Sequence, residues 1–331
     1  MANNFDAISF AEKIFSNDFD FNEMALELFH FQYNHVIIYR QYCDALKINS
    51  AKIDHYTKIP FLPVSFFKSH QVICDEKKIE KIFTSSGTTG QQASQHLVAD
   101  VSIYEKSFIK CFEEVYGPVH DYCFIALLPS YLEREGSSLV YMCDYMIGKT
   151  KHESSGFYLH DFEKLNNTIQ QLKDTDTKTI LLGVTYALLD FSEAFPQHMK
   201  DVIIMETGGM KGKRTEMVRS EVHTILKNAF HVNAIHSEYG MTEMLSQCYS
   251  TGDGKFTNPA HVKIILRDVN DPLEIKTNAT RGGVNVIDLA NIFSCAFIAT
   301  QDLGKVYANN QFEVLGRFDY SDVRGCNLML S

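Results

Sequence analysis

Along the first fifty residues, apolar side chains recur at helical spacing. Phe21, Met24, Leu26, Leu28, Phe29, Phe31, Val36 and Ile37 carry the pattern, and residues 5–46 read as two helices. The two prolines of PFLPVSFFK (60–68) interrupt it and predict an extended, partly buried segment. Tyr104, Phe108, Cys111, Phe112 and Val115 then line one face of a helix that Gly117 terminates. Beyond it, short apolar runs alternate with helical stretches. CFIALL (123–128), TILLG (179–183), DVIIM (201–205) and VNAIH (232–236) read as buried strands, with helices near 137–147, 161–173, 184–193 and 214–229. This alternation predicts an α/β fold: a mostly parallel sheet flanked by helices on both faces. After about residue 255 the rhythm changes to closely spaced strands, VKIIL, GVNVIDL, CAFIA and KVY, which predict a smaller β-rich lobe. The chain thus divides into an α/β core of residues 1–255, a β-rich lobe of 256–315 and a tail of 316–331.

Composition narrows the choice. At 331 residues with 45% hydrophobic content, the chain can build a sizeable core in two or three packed subdomains. The net charge is −10 and no long basic run exists, which argues against a nucleic acid partner. No apolar stretch reaches the length of a membrane span. The opening MANNFDAISFAEKIF has acidic residues and no apolar signal core, so the expected location is cytoplasmic. The eight cysteines (Cys43, Cys74, Cys111, Cys123, Cys143, Cys248, Cys295 and Cys326) form no C-x-x-C pair. That spacing fits neither a zinc site nor a disulfide framework.

Two motifs carry the chemistry. FTSSGTTG (83–90) is rich in glycine, which lets backbone N–H groups approach an anion, and in hydroxyls that add donors. YGMTE (239–243) places the hydroxyl of Thr242 beside the carboxylate of Glu243, a pair suited to a phosphate and to Mg²⁺. Three further segments are expected on loops after strands, where ligands bind in α/β sheets: TGGMKGKR (207–214), TQDLGKV (300–306) and LGRFD (315–319). Taken singly, each has a plainer reading. Post-strand glycines make turns, Glu243 is a surface carboxylate opening a helix, and Asp302 with Arg317 is an ordinary ion pair. His236 is either near the site or structural, and Lys211, Lys213 and Arg214 either attract an anion or lie on a solvated helix start.

In their joint order these motifs resemble the adenylate-forming superfamily of acyl- and aryl-CoA synthetases, luciferase and peptide-synthetase adenylation domains. The resemblance spans residues 83–319. It implies that Ser85, Ser86, Gly87, Thr88, Thr89 and Gly90 hold the phosphates of ATP, and that Gly208 and Gly209 form the adenine-side loop. It also implies that Tyr239 and Gly240 belong to the phosphate and metal motif, with Thr242 on the α-phosphate and Glu243 on Mg²⁺. Asp302 and Arg317 fall to the ribose. Two departures stand out. QQASQ replaces the usual Pro-Lys-Gly after the phosphate loop, and the mobile C-terminal domain that follows the hinge, with its late lysine, is expected to be absent.

The ending SDVRGCNLML, together with PFLPVSFFK, is similar to the LuxE family, the acyl-protein synthetase component of bacterial fatty acid reductase. That resemblance implies an acyl adenylate passed to Cys326 as a thioester and then to a partner, an acyl-accepting reductase or a carrier protein. Arg324 and Gly325 precede the cysteine and offer activation and freedom of movement. The expected substrate is a fatty acid. Two rivals remain open at this stage: a ligase that passes the acyl group to CoA or another small acceptor, and a non-catalytic nucleotide- or partner-binding subunit.

Overall fold

The computed structural model describes residues 5–85, 92–129, 135–173, 175–210, 213–215, 217–277 and 279–317. Its helices are α1 (Ala7–Ser16), α2 (Phe21–His35), α3 (Ile37–Ala45), α4 (Phe66–Ser69), α5 (Val101–Tyr116), α6 (Ser138–Lys149), α7 (Phe162–Leu172), α8 (Thr185–Ala194) and α9 (Arg219–Phe230). The first seven strands are β1 (Leu62–Pro63), β2 (Lys81–Thr84), β3 (Gln95–Val98), β4 (Tyr122–Leu127), β5 (Gly156–Phe157), β6 (Lys178–Val184) and β7 (Val202–Thr207). The rest are β8 (His236–Tyr239), β9 (Cys248–Ser250), β10 (Phe256–Thr257), β11 (Val262–Arg267), β12 (Arg281–Asp288), β13 (Phe297–Val306) and β14 (Gln311–Arg317).

One long sheet runs in the order β11-β12-β13-β14-β10-β9-β8-β7-β6-β4-β5, with β1 added to β13. Its β4-to-β8 half is parallel. The sequence explains why: β4 and β6 are unbroken apolar runs buried on both faces, as strands between helix layers must be. From β8 onward neighbouring strands are antiparallel, apart from β1, which runs parallel to β13. The α/β fold with a parallel sheet and a β-rich antiparallel part is therefore the one expected. The antiparallel strands extend the same sheet, because β8 pairs with β7 on one side and β9 on the other.

Several element boundaries differ from the sequence reading. Residues 5–46 form three helices, because Val36 is extended (φ −102°, ψ 96°) and fully buried between α2 and α3. The apolar period continues across that break, so periodicity alone could not show it. PFLPVSFFK is extended only at Leu62–Pro63 and then coils into α4. The fourth parallel strand is HSEY, not VNAIH, and α9 begins at Arg219, later than 214. TQDLGKV is no loop: it forms most of the ten-residue β13, and LGR of LGRFD closes β14. Gly117 does end α5, at φ 80°.

Several helices start where short polar side chains supply the missing acceptors. Asp20, Asp100, Ser137 and Asp161 each accept a backbone N–H in the first turn of α2, α5, α6 and α7. Gln32 on α2, fully buried, donates through Nε2 to the carbonyls of Asn291 and Ile292 (2.7 and 2.9 Å) and accepts from the Ala296 N–H (3.0 Å). Three bonds from one side chain thus fix the turn after β12 against the N-terminal helices.

Candidate active site

The hairpin β2–β3 carries the glycine-rich loop at its tip. Thr84 lies opposite Gln95, and beyond them the Ser94 N–H donates to Ser85 Oγ (2.9 Å) while the Ser85 N–H donates to the Ser94 carbonyl (3.1 Å). The base of the loop is therefore closed by backbone and side chain together. Ser86, Gly87, Thr88, Thr89 and Gly90 lie outside the described residues, as do Lys211 and Cys326.

Ser94 also reaches the second motif, its hydroxyl hydrogen-bonding the carboxyl of Glu243. Glu243 is 6% exposed and opens no helix, so the surface-carboxylate reading falls. Burial raises its pKa above the ordinary range, opposed by the Ser94 hydrogen bond and by the positive charges of Arg317 and Lys68. Once ionised, a carboxylate in such a place is stabilised by a bound cation.

The backbone of Thr242–Glu243 is held from behind. His96 on β3, fully buried, donates through Nδ1 to the Thr242 carbonyl (2.8 Å). Asn291 Nδ2 donates to the carbonyls of Glu243 and Cys295 (both 2.9 Å). This orientation points Asn291 Oδ1 at His96 Nε2, 3.2 Å away. With Nδ1 carrying the proton, two acceptors face one another there until the ring protonates, and burial pushes the His96 pKa down to about 4. Asp288 completes the bracing: it accepts from the N–H groups of Leu245 and Ser246 (2.8 and 3.1 Å) and from Ser246 Oγ (2.6 Å). The Glu243 carbonyl and the amides at 245–246 are thus gripped by one turn, Asp288–Asn291, and the Thr242 carbonyl by His96. Sequence reasoning passed over His96, Asp288 and Asn291. The only signal was a run of polar residues inside apolar strand ends, DLAN and SQHLV.

Tyr239, Asp302 and Arg317 meet directly. The Tyr239 hydroxyl donates to Asp302 Oδ2 (2.8 Å), and Arg317 Nε lies 3.4 Å from Asp302 Oδ1. Asp302 and Arg317 are register partners across β13 and β14, which explains their meeting from sequence positions fifteen apart. Arg317 is 76% exposed at its side chain and Asp302 only 9%, so the guanidinium can turn to a ligand while the carboxylate stays fixed. Burial, then the Asp302 charge, raises the Tyr239 pKa well above its usual value, which keeps the phenol a donor. Gly240 follows in a spot where a side chain would press on the Glu238 carboxylate. A Cβ there would sit 2.6 Å from Glu238 Oε1.

Gly208 and Gly209 follow β7, the neighbour of β8, and Gly208 takes φ 75°, which favours glycine. The Thr207 hydroxyl bonds Glu238 Oε2, tying this turn to the strand that bears Tyr239. His236 is structural in its contacts: Tyr116 Oη lies 3.0 Å from its Nδ1, and burial lowers its pKa. Arg214 is taken up by Asp190 and Glu193 of α8 (Nε to Asp190 Oδ1 2.7 Å; the fork to Glu193 2.7 and 2.8 Å), so it is a surface ion pair.

Among the described residues no group of three or more His, Cys, Asp or Glu could hold a metal by itself. The donor set around Glu243 is a single carboxylate with hydroxyls nearby, which fits Mg²⁺, an ion that takes one or two carboxylates and fills its shell with phosphate and water oxygens. All seven described cysteines are buried and free. Burial pushes the thiols of Cys43, Cys74 and Cys111 up to about 12 and that of Cys123 to about 11, and raises those of Cys143, Cys248 and Cys295 further.

The sequence that carries these parts matches a known family. The family model described as acyl-protein synthetase, LuxE, aligns with residues 5–331. The chain belongs to this family. The acyl-protein synthetase relatives include a long-chain-fatty-acid–luciferin-component ligase of Aliivibrio fischeri, 23% identical over 94% of this chain and 87% of its own length. A protein of the same name from Photorhabdus luminescens is 39% identical over 20% of the chain and 59% of its own. In fold, the chain is similar to ATP-bound MatB from Rhodopseudomonas palustris (TM-score 0.55, 15% identity, 72% of this chain), spanning 48% of that structure's length. It is also similar to 2-hydroxyisobutyryl-CoA ligase in complex with 2-HIB-AMP (TM-score 0.62, 10% identity, 95% of this chain, 69% of the other). The acyl-protein synthetase chain thus has the fold of adenylate-forming enzymes. Among its described residues no helix is long and apolar enough to cross a membrane.

Proposed function

We propose that the chain is an ATP-dependent ligase that activates a fatty acid as its acyl adenylate and carries the acyl group on Cys326 as a thioester for delivery to a partner. The observation that carries this reading is convergence. The base of the glycine-rich loop meets the Thr242–Glu243 pair through Ser94 and Glu243, and Tyr239, Asp302 and Arg317, brought in from β8, β13 and β14, are joined by direct contacts. Family membership supports ligase chemistry, and the names of the Aliivibrio and Photorhabdus relatives favour a long-chain fatty acid.

In the first step a carboxylate oxygen attacks the α-phosphorus of ATP. The P–O bond to the β-phosphate breaks and pyrophosphate leaves with its electron pair. Such a step needs little bond-making from the protein; positioning and charge neutralisation supply the rate. The Ser85 to Gly90 loop would cradle the β- and γ-phosphates, and the Thr242 hydroxyl would donate to the α-phosphate. Asp302, fixed by Tyr239, would accept from the ribose hydroxyls, and exposed Arg317 would turn to the ribose. Gly208 and Gly209 would let the adenine lie against backbone. Glu243 would hold Mg²⁺, which supplies charge neutralisation between the phosphates.

In the second step the sulfur of Cys326 attacks the acyl carbonyl carbon. AMP leaves with the electron pair of the C–O bond, and the thiol proton is lost as the thiolate forms. The resemblance of the ending SDVRGCNLML to the family supports Cys326 as that nucleophile, and the seven described cysteines are all buried. The first step is tested by exchange of labelled pyrophosphate into ATP with a panel of fatty acids. Acid-dependent exchange, abolished in Glu243→Ala and retained in Cys326→Ser, is the expected result. Exchange absent with every acid would refute adenylation.

A further inference from the structure

Asp302 sits at an irregularity in β13. Along the β12–β13 ladder Gly283 pairs with Leu303 and Asn285 with Ala299, so the single residue Val284 faces the three residues Thr300–Asp302. A bulge of this kind breaks the ladder and re-aims the side chains of the longer strand. On its other edge β13 keeps Asp302 opposite Arg317. Backbone groups that leave the ladder in a buried place need other partners.

Arg267, the last residue of β11, supplies them. It is 2% exposed and lies opposite Gly283 in the β11–β12 ladder. Its stem crosses the space that a side chain at 283 would fill, since a Cβ there would lie 2.8 Å from Arg267 Cζ and 3.0 Å from its Nε. Beyond the glycine the guanidinium forks. Nη1 donates to the Val284 carbonyl (2.6 Å) and to Asn285 Oδ1 (2.8 Å), and Nη2 donates to the Thr300 carbonyl. Buried Thr300 completes the clasp: its hydroxyl donates to the Val284 carbonyl (2.9 Å) and accepts the Asp302 N–H (3.0 Å). The guanidinium and the hydroxyl thus tie the two sides of the bulge together, and the amide of Asp302 hangs from that tie. A planar fork of donors can span two carbonyls where the single ammonium of a lysine cannot.

We propose that Arg267 is a positioning residue of the nucleotide site: by clasping the bulge through Thr300, it aims the Asp302 carboxylate at the ribose hydroxyls. The proposal rests on the reading that gives Asp302 the ribose, and it adds the group that sets the direction of that carboxylate. Tyr239 holds one oxygen of Asp302 from β8 (2.8 Å), while the Arg267 clasp fixes the backbone from which the carboxylate projects. Taking a guanidinium out of water is costly, and apolar side chains of similar volume would serve a lobe that needed only packing.

The test is equilibrium binding of ATP and of 2′,3′-dideoxy-ATP, each with Mg²⁺, to the wild-type chain and to Arg267→Met, Arg267→Lys, Thr300→Val and Asp302→Ala. The dideoxy nucleotide lacks the hydroxyls assigned to Asp302 and keeps the base and the phosphates. The wild-type chain should prefer ATP about tenfold, the size of one charge-assisted hydrogen bond, and Asp302→Ala should abolish that preference. Arg267→Met should shrink it to within about twofold. Arg267→Lys keeps a cation but not the fork that spans Val284 and Thr300, and should do the same. That variant and Thr300→Val, which removes only the hydroxyl of the clasp, carry the test where Arg267→Met does not fold. A preference retained at full size in the folded variants, with both nucleotides weakened equally or not at all, marks Arg267 as merely structural and overturns the proposal. A wild-type chain that binds both nucleotides equally overturns the ribose reading of Asp302, and Arg267 falls with it.

Discussion

Replacing His96 by alanine removes the side chain that joins the glycine-loop hairpin to the Thr242–Glu243 turn, and its cost can be worked from the contacts. The ring is fully buried and gives one hydrogen bond at neutral pH, Nδ1 to the Thr242 carbonyl at 2.8 Å. Leaving that buried carbonyl without a partner costs about 1–3 kcal/mol. Loss of the ring, with its edge-on contact to Phe67, leaves a cavity worth about another 1–2 kcal/mol. A total of roughly 3 kcal/mol follows. His96→Asn keeps a donor near the Nδ1 position and should cost less, about 1 kcal/mol. Urea denaturation read by far-UV circular dichroism measures both, and pyrophosphate exchange on the same samples measures the site. The ATP KM should rise in His96→Ala and stay nearer to wild type in His96→Asn, because only the former frees the Thr242 backbone. Asn291→Ala should be non-additive with His96→Ala by at least about 0.5 kcal/mol, since both grip one turn. A loss below about 1 kcal/mol in His96→Ala, with an unchanged ATP KM, would refute the idea that this histidine positions the motif.

Two further outcomes follow from the same arrangement. Burial raises the Glu243 pKa, so the folded state binds the proton more tightly than the unfolded state, and this contribution to stability is lost as pH rises through the folded pKa. Glu243→Gln escapes that loss: its stability gain over wild type, on the order of 1 kcal/mol, should be larger at pH 8 than at pH 5 by thermal unfolding, while pyrophosphate exchange is lost. A variant less stable than wild type at pH 8 would contradict it. Thiol titration with Ellman's reagent should find one fast-reacting cysteine in the native chain and none in native Cys326→Ser, the others reacting only on unfolding; a second fast thiol would contradict the burial of the seven described cysteines.

The parallel half of the sheet was legible because its strands are short apolar runs separated by amphipathic helices, a pattern that burial on both faces imposes. The antiparallel half was legible only in part: VKIIL and GVNVIDL were read as strands, CAFIA and KVY as two strands where β13 is one, and β9, β10 and β14 were not read as strands at all. Asp302 illustrates the limit. Its chemistry was readable, yet its placement in mid-strand opposite Arg317 depends on register between β13 and β14, a long-range property. The motif residues Tyr239, Thr242 and Glu243 stand out in the sequence because the types and order of the motif suggest a chemistry. His96, Asp288 and Asn291 were missed because their work is done on backbone groups of another segment, and no spacing in their own neighbourhood reveals it. Val36 shows the same limit in reverse: a helical period runs through a residue that is extended in the fold.

The central claim is that this acyl-protein synthetase carries its acyl group on a cysteine near the end of the chain. Intact-protein mass spectrometry after incubation with ATP, Mg²⁺ and a long-chain fatty acid tests it most directly. The account predicts a mass gain of one acyl chain that is removed by hydroxylamine and absent in Cys326→Ser. No gain with any fatty acid, or a gain that persists in Cys326→Ser, would contradict it.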